Sequence, residues 1–238
     1  MRQSTKKKIK TVFALGMLTF CFQNFDIVNA FLVPVHKVDH ESRVLHAKEL
    51  LGKAYKGSTA HQAEMIQDLH VTIFEDVRQL LPKKYKSQAL PLAETIVREA
   101  QRYDFDPVFI MAVIKTESSF NPIAKGSAGE IGLMQIKPKT AAEIALNANI
   151  PWNGPSTLES PIMNVKIGVA YFSQLRGKFA GYANKYIASY NMGAAKVNRL
   201  YQNEITPKEY SIRVIKNYNL IYKRMVASRS NDLAKNFN

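Results

Sequence analysis

Glu117 is a carboxylate in an unusual place. It ends the run 107–117, which is otherwise almost wholly apolar and is typical of a helix. At helical spacing it lies on the same face as Ile110, Val113 and Ile114. A carboxylate there costs free energy unless it is paired, hydrogen-bonded or protonated, and burial raises its pKa. The position therefore indicates acid/base chemistry; the alternative is that Glu117 only accepts hydrogen bonds from the glycine-containing loop that follows.

The histidines leave few other choices for this chemistry. All of them precede residue 71: His36, His40, His46, His61 and His70. A Ser-His-Asp triad within the helical region after residue 71 is therefore excluded. His36 and His40 have the i, i+4 spacing of a helical metal site, but the HExxH pattern is absent, so we expect this pair to be solvated and predict no metal or cofactor.

The remaining glutamates are weaker candidates than Glu117. Five have Lys, Arg or polar neighbours within predicted helices and are expected on solvated faces: Glu94, Glu99, Glu143, Glu204 and Glu209. Glu130 and Glu159 fall in segments typical of loops. No second acid near Glu117 stands out.

Two later segments contain groups that suit a sugar site. The first combines a flexible turn, a soft apolar surface and an amide in the run Gly132, Leu133, Met134 and Gln135. The second combines an aromatic ring, an amide and a glycine in the run Ser189, Tyr190, Asn191, Met192 and Gly193. Aromatic rings stack on sugar faces and amides bind N-acetyl groups, so both segments are candidates for substrate binding.

Apolar spacing predicts an all-α fold, α+β at most, because no long segment alternates with period two. A capping box at Thr59 and Gln62 predicts one helix that runs to Pro82, and the charged residues 83–87 are the expected domain boundary. Residues 122–137 are predicted to be loop with short extended pieces. The other predicted helices are 44–55, one marked by Leu92 to Tyr103, one from Asp106-Pro107 to Asn121-Pro122, 138–146, 161–176, 182–190, 194–201 and 207–227, with a frayed tail over 228–238.

The N-terminus has the layout of a secretory signal peptide. A basic head precedes an apolar stretch over 11–25, and small residues end at Ala30, so we predict cleavage there, with export to the periplasm or cell envelope, or secretion. An uncleaved membrane anchor is the alternative, although the apolar stretch is short for a bilayer span. Cys21, the only cysteine, lies in this stretch, so the cleaved chain would have neither disulfides nor thiol chemistry.

The chain carries a formal net charge of +14 and remains strongly basic after removal of residues 1–30. A basic exported protein suits an anionic polymer or surface outside the cytoplasm. Nucleic acid is not the expected partner, because the sequence has no zinc-finger spacing, RNA-binding signature or basic heptad helix.

Three motifs, in order, resemble the family 1 lytic transglycosylases. They are Glu117-Ser118-Ser119-Phe120-Asn121-Pro122, then Gly132-Leu133-Met134-Gln135-Ile136-Lys137-Pro138 with Thr140-Ala141, then Ser189-Tyr190-Asn191-Met192-Gly193. The resemblance covers roughly residues 88–225 and is to the soluble-lytic-transglycosylase (SLT) domain of the lysozyme superfamily, so we predict a catalytic domain over residues 88–227. Residues 31–87 carry no such resemblance; these N-terminal helices could cap the catalytic domain, bind cell-envelope protein partners or fill out the core.

The resemblance implies a lysozyme-like helical domain with a groove for peptidoglycan glycan strands. Such enzymes cleave the β-1,4 bond between N-acetylmuramic acid and N-acetylglucosamine and leave a 1,6-anhydromuramyl end without adding water. By motif position Glu117 corresponds to the acid that later acts as base. The positions that match the groove are Ser118, Met134, Gln135, Tyr190 and Asn191.

The chain departs from the family pattern at two places. Ser189 stands before Tyr190 where alanine is usual, and Ala194-Ala195 replace a Pro-Gly pair. Thr206-Pro207 precede Tyr210 and Arg213 where a Glu-Thr pair is usual, so no role is assigned to that glutamate. A goose-type hydrolase and a catalytically inactive wall-binding protein remain as alternative functions.

Overall fold

The computed structural model of the protein describes residues 37–66 and 68–236, with side chains to residue 229. The described residues belong to one compact unit. The α-helices in chain order are α1 (His40–Leu51), α2 (Thr59–Gln62), α3 (Leu69–Leu80), α4 (Ala89–Arg102), α5 (Pro107–Ser118), α6 (Pro138–Asn147), α7 (Pro161–Lys178), α8 (Ala183–Met192), α9 (Ala194–Gln202) and α10 (Glu209–Asn236). Short 3-10 helices cover Gly52–Gly57, Ala63–Met65, Lys83–Gln88 and Pro155–Glu159.

The prediction of an all-α fold is confirmed. In the described part of the chain, extended pairing is limited to isolated bridges from Ile131 to Lys125 and to Ile136. Both bridges lie in the loop between α5 and α6, where the sequence predicted short extended pieces. This loop, residues 119–137, is called the groove loop below.

Helix α5 is the central element of the core. Its N-cap Asp106 accepts a hydrogen bond from the Val108 amide, and Pro107 takes the first helical position, where its missing N–H costs nothing. Every residue from 107 to 114 is buried. A helix that is apolar on all sides requires neighbours on all sides, and α4 and α10 pack directly against it.

The segment before α4 differs from its prediction in two ways. Residues 59–80 do not form one helix, because α2 is followed by a 3-10 turn and a new α-helix, α3, begins at Leu69. The cap of α2 is Ser58, whose hydroxyl accepts the His61 amide. Met65, expected on an apolar helix face, is 85% exposed at this break.

The last helix of the chain also differs from its prediction. Helix α10 continues to Asn236, beyond the predicted end at residue 227.

The N-terminal helices fill out the core. Arg43 and His46 on α1 are both buried. The His46 ring packs edge-on against Phe105 and Phe109, 4.9 and 5.0 Å from their ring centroids. One ring nitrogen accepts the Asp106 amide at 3.0 Å, and the other lies 3.0 Å from the Tyr186 hydroxyl. Of the three roles left open for residues 31–87, the described portion supports the core role; binding of envelope partners stays a prediction.

Several predictions concern residues outside the described part of the chain. The signal peptide 1–30, the anchor alternative, Cys21 and the His36 half of the His36/His40 pair all belong to this group. Within residues 37–66 and 68–236, none of the helices has the length and apolar character that crossing a membrane requires.

Candidate active site

An open groove of about 440 Å³ begins at the C-terminal end of α5. Its walls come from α5, the groove loop, the start of α6, helix α7 and the end of α8. The lining residues are Glu117, Gly126, Ser127, Glu130, Gln135, Ile136, Lys137, Thr140, Tyr171, Tyr190, Asn191, Met192 and Gly193. Four predicted site residues, Glu117, Gln135, Tyr190 and Asn191, therefore meet in one cavity.

Glu117 is partly buried at the edge of this groove. Burial raises its pKa, because a carboxylate is poorly solvated there; the nearby negative charge of Glu130 acts in the same direction. The Tyr210 hydroxyl, which donates to Glu117 Oε1, and the positive charge of Arg213 partly oppose this rise. The net effect favours the protonated acid, as the apolar face of α5 predicted.

The end of α5 is shaped by two residues in left-handed conformation. Ser119 and Phe120 have φ values of 51° and 63°. Non-glycine residues seldom occur there, so the surrounding structure must hold this turn in place. Ser118 helps to hold it, because its hydroxyl donates a hydrogen bond of 2.8 Å to the Leu133 carbonyl oxygen. The predicted site residue Ser118 is not among the residues that line the groove.

Asn164 on α7 fixes the groove loop from beneath. Its side-chain amide donates to the Ile131 and Leu158 carbonyl oxygens at 2.8 and 2.9 Å, and its oxygen accepts the Met134 amide at 2.8 Å. Met134 is fully buried below the groove, against Gly168, where any Cβ would collide with the methionine sulfur. The predicted residue Met134 therefore supports the groove from below and does not line it.

Gln135 lines the groove from a left-handed backbone position, with φ of 46°. Its amide nitrogen donates to the Ala124 and Gly132 carbonyl oxygens at 3.0 and 2.9 Å. The side-chain oxygen lies against Gly126, where a Cβ would be 2.9 Å away. These contacts leave the oxygen of Gln135 as the atom that can accept a hydrogen bond from a ligand.

Tyr190 lines the groove and is hydrogen-bonded to the groove loop. Its hydroxyl donates to the Met134 carbonyl oxygen at 2.8 Å. Its ring stacks on Phe172 at 4.0 Å between centroids and 7° between planes, and it also contacts Tyr171 at 5.1 Å. Asn191, the next residue, is exposed and lines the groove with its amide free for a ligand.

Sequence reasoning missed several residues of the site. Tyr210 was considered only as part of a departing motif, and Glu130 and Tyr171 were not among the predicted site residues. Tyr210 follows Glu117 by 93 residues, so no local pattern could pair them.

One prediction about a glutamate outside the groove was wrong. Glu99 was expected on a solvated face, but it is only 3% exposed. Its carboxylate lies 3.6 and 3.8 Å from the guanidinium groups of Arg98 and Arg102.

Among the residues described by the structure, no group of three or more His, Cys, Asp or Glu side chains is arranged to hold a metal ion. The titratable groups at the groove are Glu117, Glu130, Lys137, Tyr171 and Tyr190. The chemistry that these groups can perform directly is proton transfer and hydrogen bonding.

An all-α domain whose buried central helix ends in a glutamate of raised pKa, at a groove lined by aromatic and amide groups, has the groups that acid/base chemistry requires. The chain belongs to the Transglycosylase SLT domain family, whose sequence model matches residues 94–212. The resemblance stated from the three motifs is thereby confirmed.

Curated relatives match parts of the chain. It is 36% identical over 117 residues to the putative soluble lytic murein transglycosylase of Haemophilus influenzae, covering 48% of this chain and 20% of that protein. It is 28% identical over 211 residues to the membrane-bound lytic murein transglycosylase C of H. influenzae strain PittEE, covering 84% and 58%. The chain thus spans less than two thirds of the length of either relative.

A solved structure resembles the fold. The X-ray structure of an inactive mutant of the lytic transglycosylase Slt from Pseudomonas aeruginosa superposes with a TM-score of 0.50 at 24% identity. The match covers 71% of this chain and 30% of that one. It supports the predicted lysozyme-like SLT fold.

Proposed function

We propose that this protein is a peptidoglycan lytic transglycosylase in which Glu117 serves first as acid and then as base. Its substrate is the glycan strand, cleaved at the β-1,4 bond between N-acetylmuramic acid and N-acetylglucosamine. The observation that carries the proposal is the position of Glu117, which is partly buried at the edge of an open groove, in a chain that belongs to the SLT family. Burial there raises the pKa of Glu117, as an acid catalyst requires. No metal or cofactor takes part in the proposed reaction.

The first step is proton donation. Protonated Glu117 gives its proton to the glycosidic oxygen as the bond from that oxygen to C1 of the muramyl residue breaks. The acetamido group of the substrate stabilises the positive charge that develops at C1. The Tyr210 hydroxyl, which donates to Glu117, stabilises the carboxylate that this step produces.

The second step closes a ring. The ionised Glu117 accepts the proton of the muramyl 6-hydroxyl while that oxygen bonds to C1. The product is a 1,6-anhydromuramyl end, and Glu117 is again protonated for the next cycle. One carboxyl group is sufficient because the sugar supplies its own nucleophile.

The groove suits a chain of N-acetylated sugars. The cavity is lined by Tyr190, whose ring stacks on Phe172, and by the side-chain amides of Gln135 and Asn191. Tyrosine rings contact sugar faces, and amides bond with N-acetyl groups. The basic composition and the predicted signal peptide support the proposal that this activity belongs outside the cytoplasm, at the cell envelope.

A hydrolase is the second candidate, and Glu130 is the observation that favours it. This second carboxylate lies in the same groove, and its pKa is lowered, chiefly by its own backbone N–H, so it is ionised at neutral pH. Two-carboxylate glycosidases use one acid and one carboxylate that acts as nucleophile or activates water. We favour the transglycosylase because Glu130 is already bound to the Ala128 amide at 3.0 Å and to Lys137 at 3.4 Å.

The test is digestion of purified sacculi with the wild-type chain and with Glu117→Gln. We expect the wild type to release anhydromuropeptides and the variant to lose about 100-fold or more of this activity, the size typical of a general acid. Glu204→Gln, which changes an exposed carboxylate, is the matched control and should retain full activity.

Mass spectrometry of the products decides between the candidates. Anhydro products lack the water that hydrolysis adds, so products heavier by one water would identify a hydrolase. Binding to sacculi without any product from the wild type would instead identify a wall-binding protein. Full activity of Glu117→Gln would disprove the role assigned to Glu117.

A further inference from the structure

A second open cavity, of about 520 Å³, is lined by two distant parts of the chain. One part lies within residues 51–59, and the other is the stretch of α10 from Lys216 to Lys223. The Thr59 hydroxyl donates to the backbone carbonyl oxygen of Asn219 at 3.2 Å and so connects the two parts. This cavity is called the α10 cavity below, and none of its lining residues belongs to the groove at Glu117.

The α10 cavity combines apolar side chains with unpaired positive charges. Leu51, Ala54 and Leu220 line it, and Leu220 is 43% exposed. Lys216 and Lys223 are exposed, and neither belongs to an ion pair in the described part of the chain. Among the described residues that line this cavity, none carries a carboxylate or an aromatic ring. Such a lining favours an occupant that is apolar and negatively charged, and it offers no ring on which a sugar could stack.

The α10 cavity lies toward the end of α5 that is remote from the catalytic acid. Tyr218 and Tyr222, in the same stretch of α10, donate to Asp106 at the N-terminal end of α5. Tyr210, which precedes this stretch, donates to Glu117 at the C-terminal end. The 12 residues of α5 span about 18 Å, so the cavity is a separate site from the groove.

We propose that the α10 cavity is the docking site for an acidic amphipathic helix of a partner protein. Lys216 and Lys223 lie two helical turns apart, about 10.5 Å along α10, with Leu220 between them on the same face. A partner helix with two carboxylates at this spacing and apolar residues between them complements both the charge and the lining. The proposal gives a place and a charge preference to the partner binding that the sequence predicted for residues 31–87.

Two other occupants suit the α10 cavity less well. A second copy of the chain in a symmetrical contact would bring the same lysines together, and the chain already has a formal net charge of +14. A bilayer takes up an apolar face that inserts into it, whereas the apolar side chains here line a cavity. Charge complementarity and shape therefore both favour a helix of a different, acidic protein.

Photo-cross-linking in the cells that produce the protein identifies the occupant. A benzophenone amino acid replaces Leu220 in the full chain, and mass spectrometry of the linked peptide identifies the captured segment. The matched control is the same replacement at Leu146, an exposed leucine of α6 outside the groove and the α10 cavity. We expect position 220, and not position 146, to capture a partner protein through a helical segment with carboxylates seven residues apart.

The remaining outcomes of the cross-linking would each refute the proposal. They are a cross-link to a phospholipid, to a second copy of the chain or within the same chain, a captured segment without the paired carboxylates, and no cross-linking above the control.

Charge reversal then measures what the two lysines contribute. The captured segment is synthesised as a fluorescent peptide and titrated onto the full chain. Lys216→Glu/Lys223→Glu should weaken binding about tenfold, because two exposed attractions become repulsions. The matched control Lys83→Glu/Lys178→Glu makes the same change in net charge at exposed residues elsewhere and should bind like the wild type.

Thermal unfolding checks that both double variants are folded. Equal affinity of the wild type and Lys216→Glu/Lys223→Glu would overturn the docking site, and an equal loss in the control would show an effect of net charge alone and overturn it as well. Neither measurement uses the reaction on sacculi, so the result is independent of the proposed function.

Discussion

Helix α5 carries a carboxylate at each end, and α10 donates tyrosine hydroxyls to both. At the N-terminal end, Asp106 Oδ2 accepts the Tyr218 and Tyr222 hydroxyls at 2.6 and 2.7 Å. At the C-terminal end, Glu117 accepts the Tyr210 hydroxyl. The chemical groups are the same, yet the two ends have different surroundings.

The Asp106 end is closed. Asp106 is fully buried, its other oxygen accepts the Val108 amide at 2.9 Å, and Arg43 lies beyond Tyr222 at 3.2 Å. The Glu117 end has one tyrosine partner and faces an open groove. A carboxylate whose acceptor positions are filled contributes to stability, whereas one with a free position beside a cavity can exchange a proton with a ligand.

Removal of Asp106 should therefore cost mainly stability. Asp106→Ala leaves the Tyr218 and Tyr222 hydroxyls and the Val108 amide without their acceptor, and it removes the negative charge that faces Arg43. We expect the free energy of unfolding to fall by about 3 kcal/mol or more, the cost typical of breaking a buried charged network. Urea unfolding followed by circular dichroism measures this loss.

Asp106→Asn is the conservative control for this prediction. Asparagine keeps one oxygen for the Val108 amide, but it presents to the two tyrosine hydroxyls an NH2 group, which cannot accept their hydrogen bonds. The loss of stability should therefore be intermediate. A decrease below about 1 kcal/mol for Asp106→Ala would show that the network at this end contributes little.

The tyrosines allow the two ends to be compared with one chemical change. Tyr210→Phe removes the hydrogen bond to Glu117, and we expect kcat on sacculi to fall about tenfold, because the carboxylate formed after proton donation loses its donor. Tyr218→Phe removes the matching bond to Asp106 and should lower stability by about 1 kcal/mol with kcat unchanged. Equal kcat losses would show that both tyrosines act only on packing.

A pH profile of kcat provides a second readout for Tyr210→Phe. The groups that act on Glu117 are Tyr210, Arg213, Glu130 and, across the groove, Tyr190. The Tyr210 bond lowers the pKa of Glu117, so its removal raises that pKa further. The acid form then persists to higher pH, and the alkaline limb of the profile should move upward; a downward shift would contradict the assigned hydrogen bond.

The sequence was sufficient for the parts of the site that depend on local pattern. Glu117 could be selected because helical periodicity placed it on the apolar face of residues 107–117. The groove loop and the start of α6 at Pro138 followed from glycine and proline positions. The fold could be predicted from the three motifs, because their order and spacing resemble those of one family.

The parts that were missed depend on contacts between distant residues. Tyr210 reaches Glu117, and His46 reaches Asp106, only because α10 and α1 pack around α5. Glu130 appeared to be an ordinary loop residue because its place in the groove depends on the turn at Gly126. The break after α2 was missed because the apolar spacing of the sequence continues across it, although the helix ends there.

The smallest expected effect is the change in stability with pH that Glu117 causes. Burial raises the pKa of Glu117 above its unfolded value near 4.5, so the folded state binds a proton more tightly than the unfolded state. Below that value both states are protonated and Glu117 costs nothing. As the pH rises through the raised pKa, wild-type stability falls, whereas Glu117→Gln cannot ionise and escapes the loss. Thermal unfolding should therefore give equal Tm values at about pH 4 and a modestly higher Tm for the variant at about pH 8. Glu204→Gln should follow the wild type at both pH values, and a Glu117→Gln curve parallel to the wild type would mean that Glu117 is solvated like any surface acid.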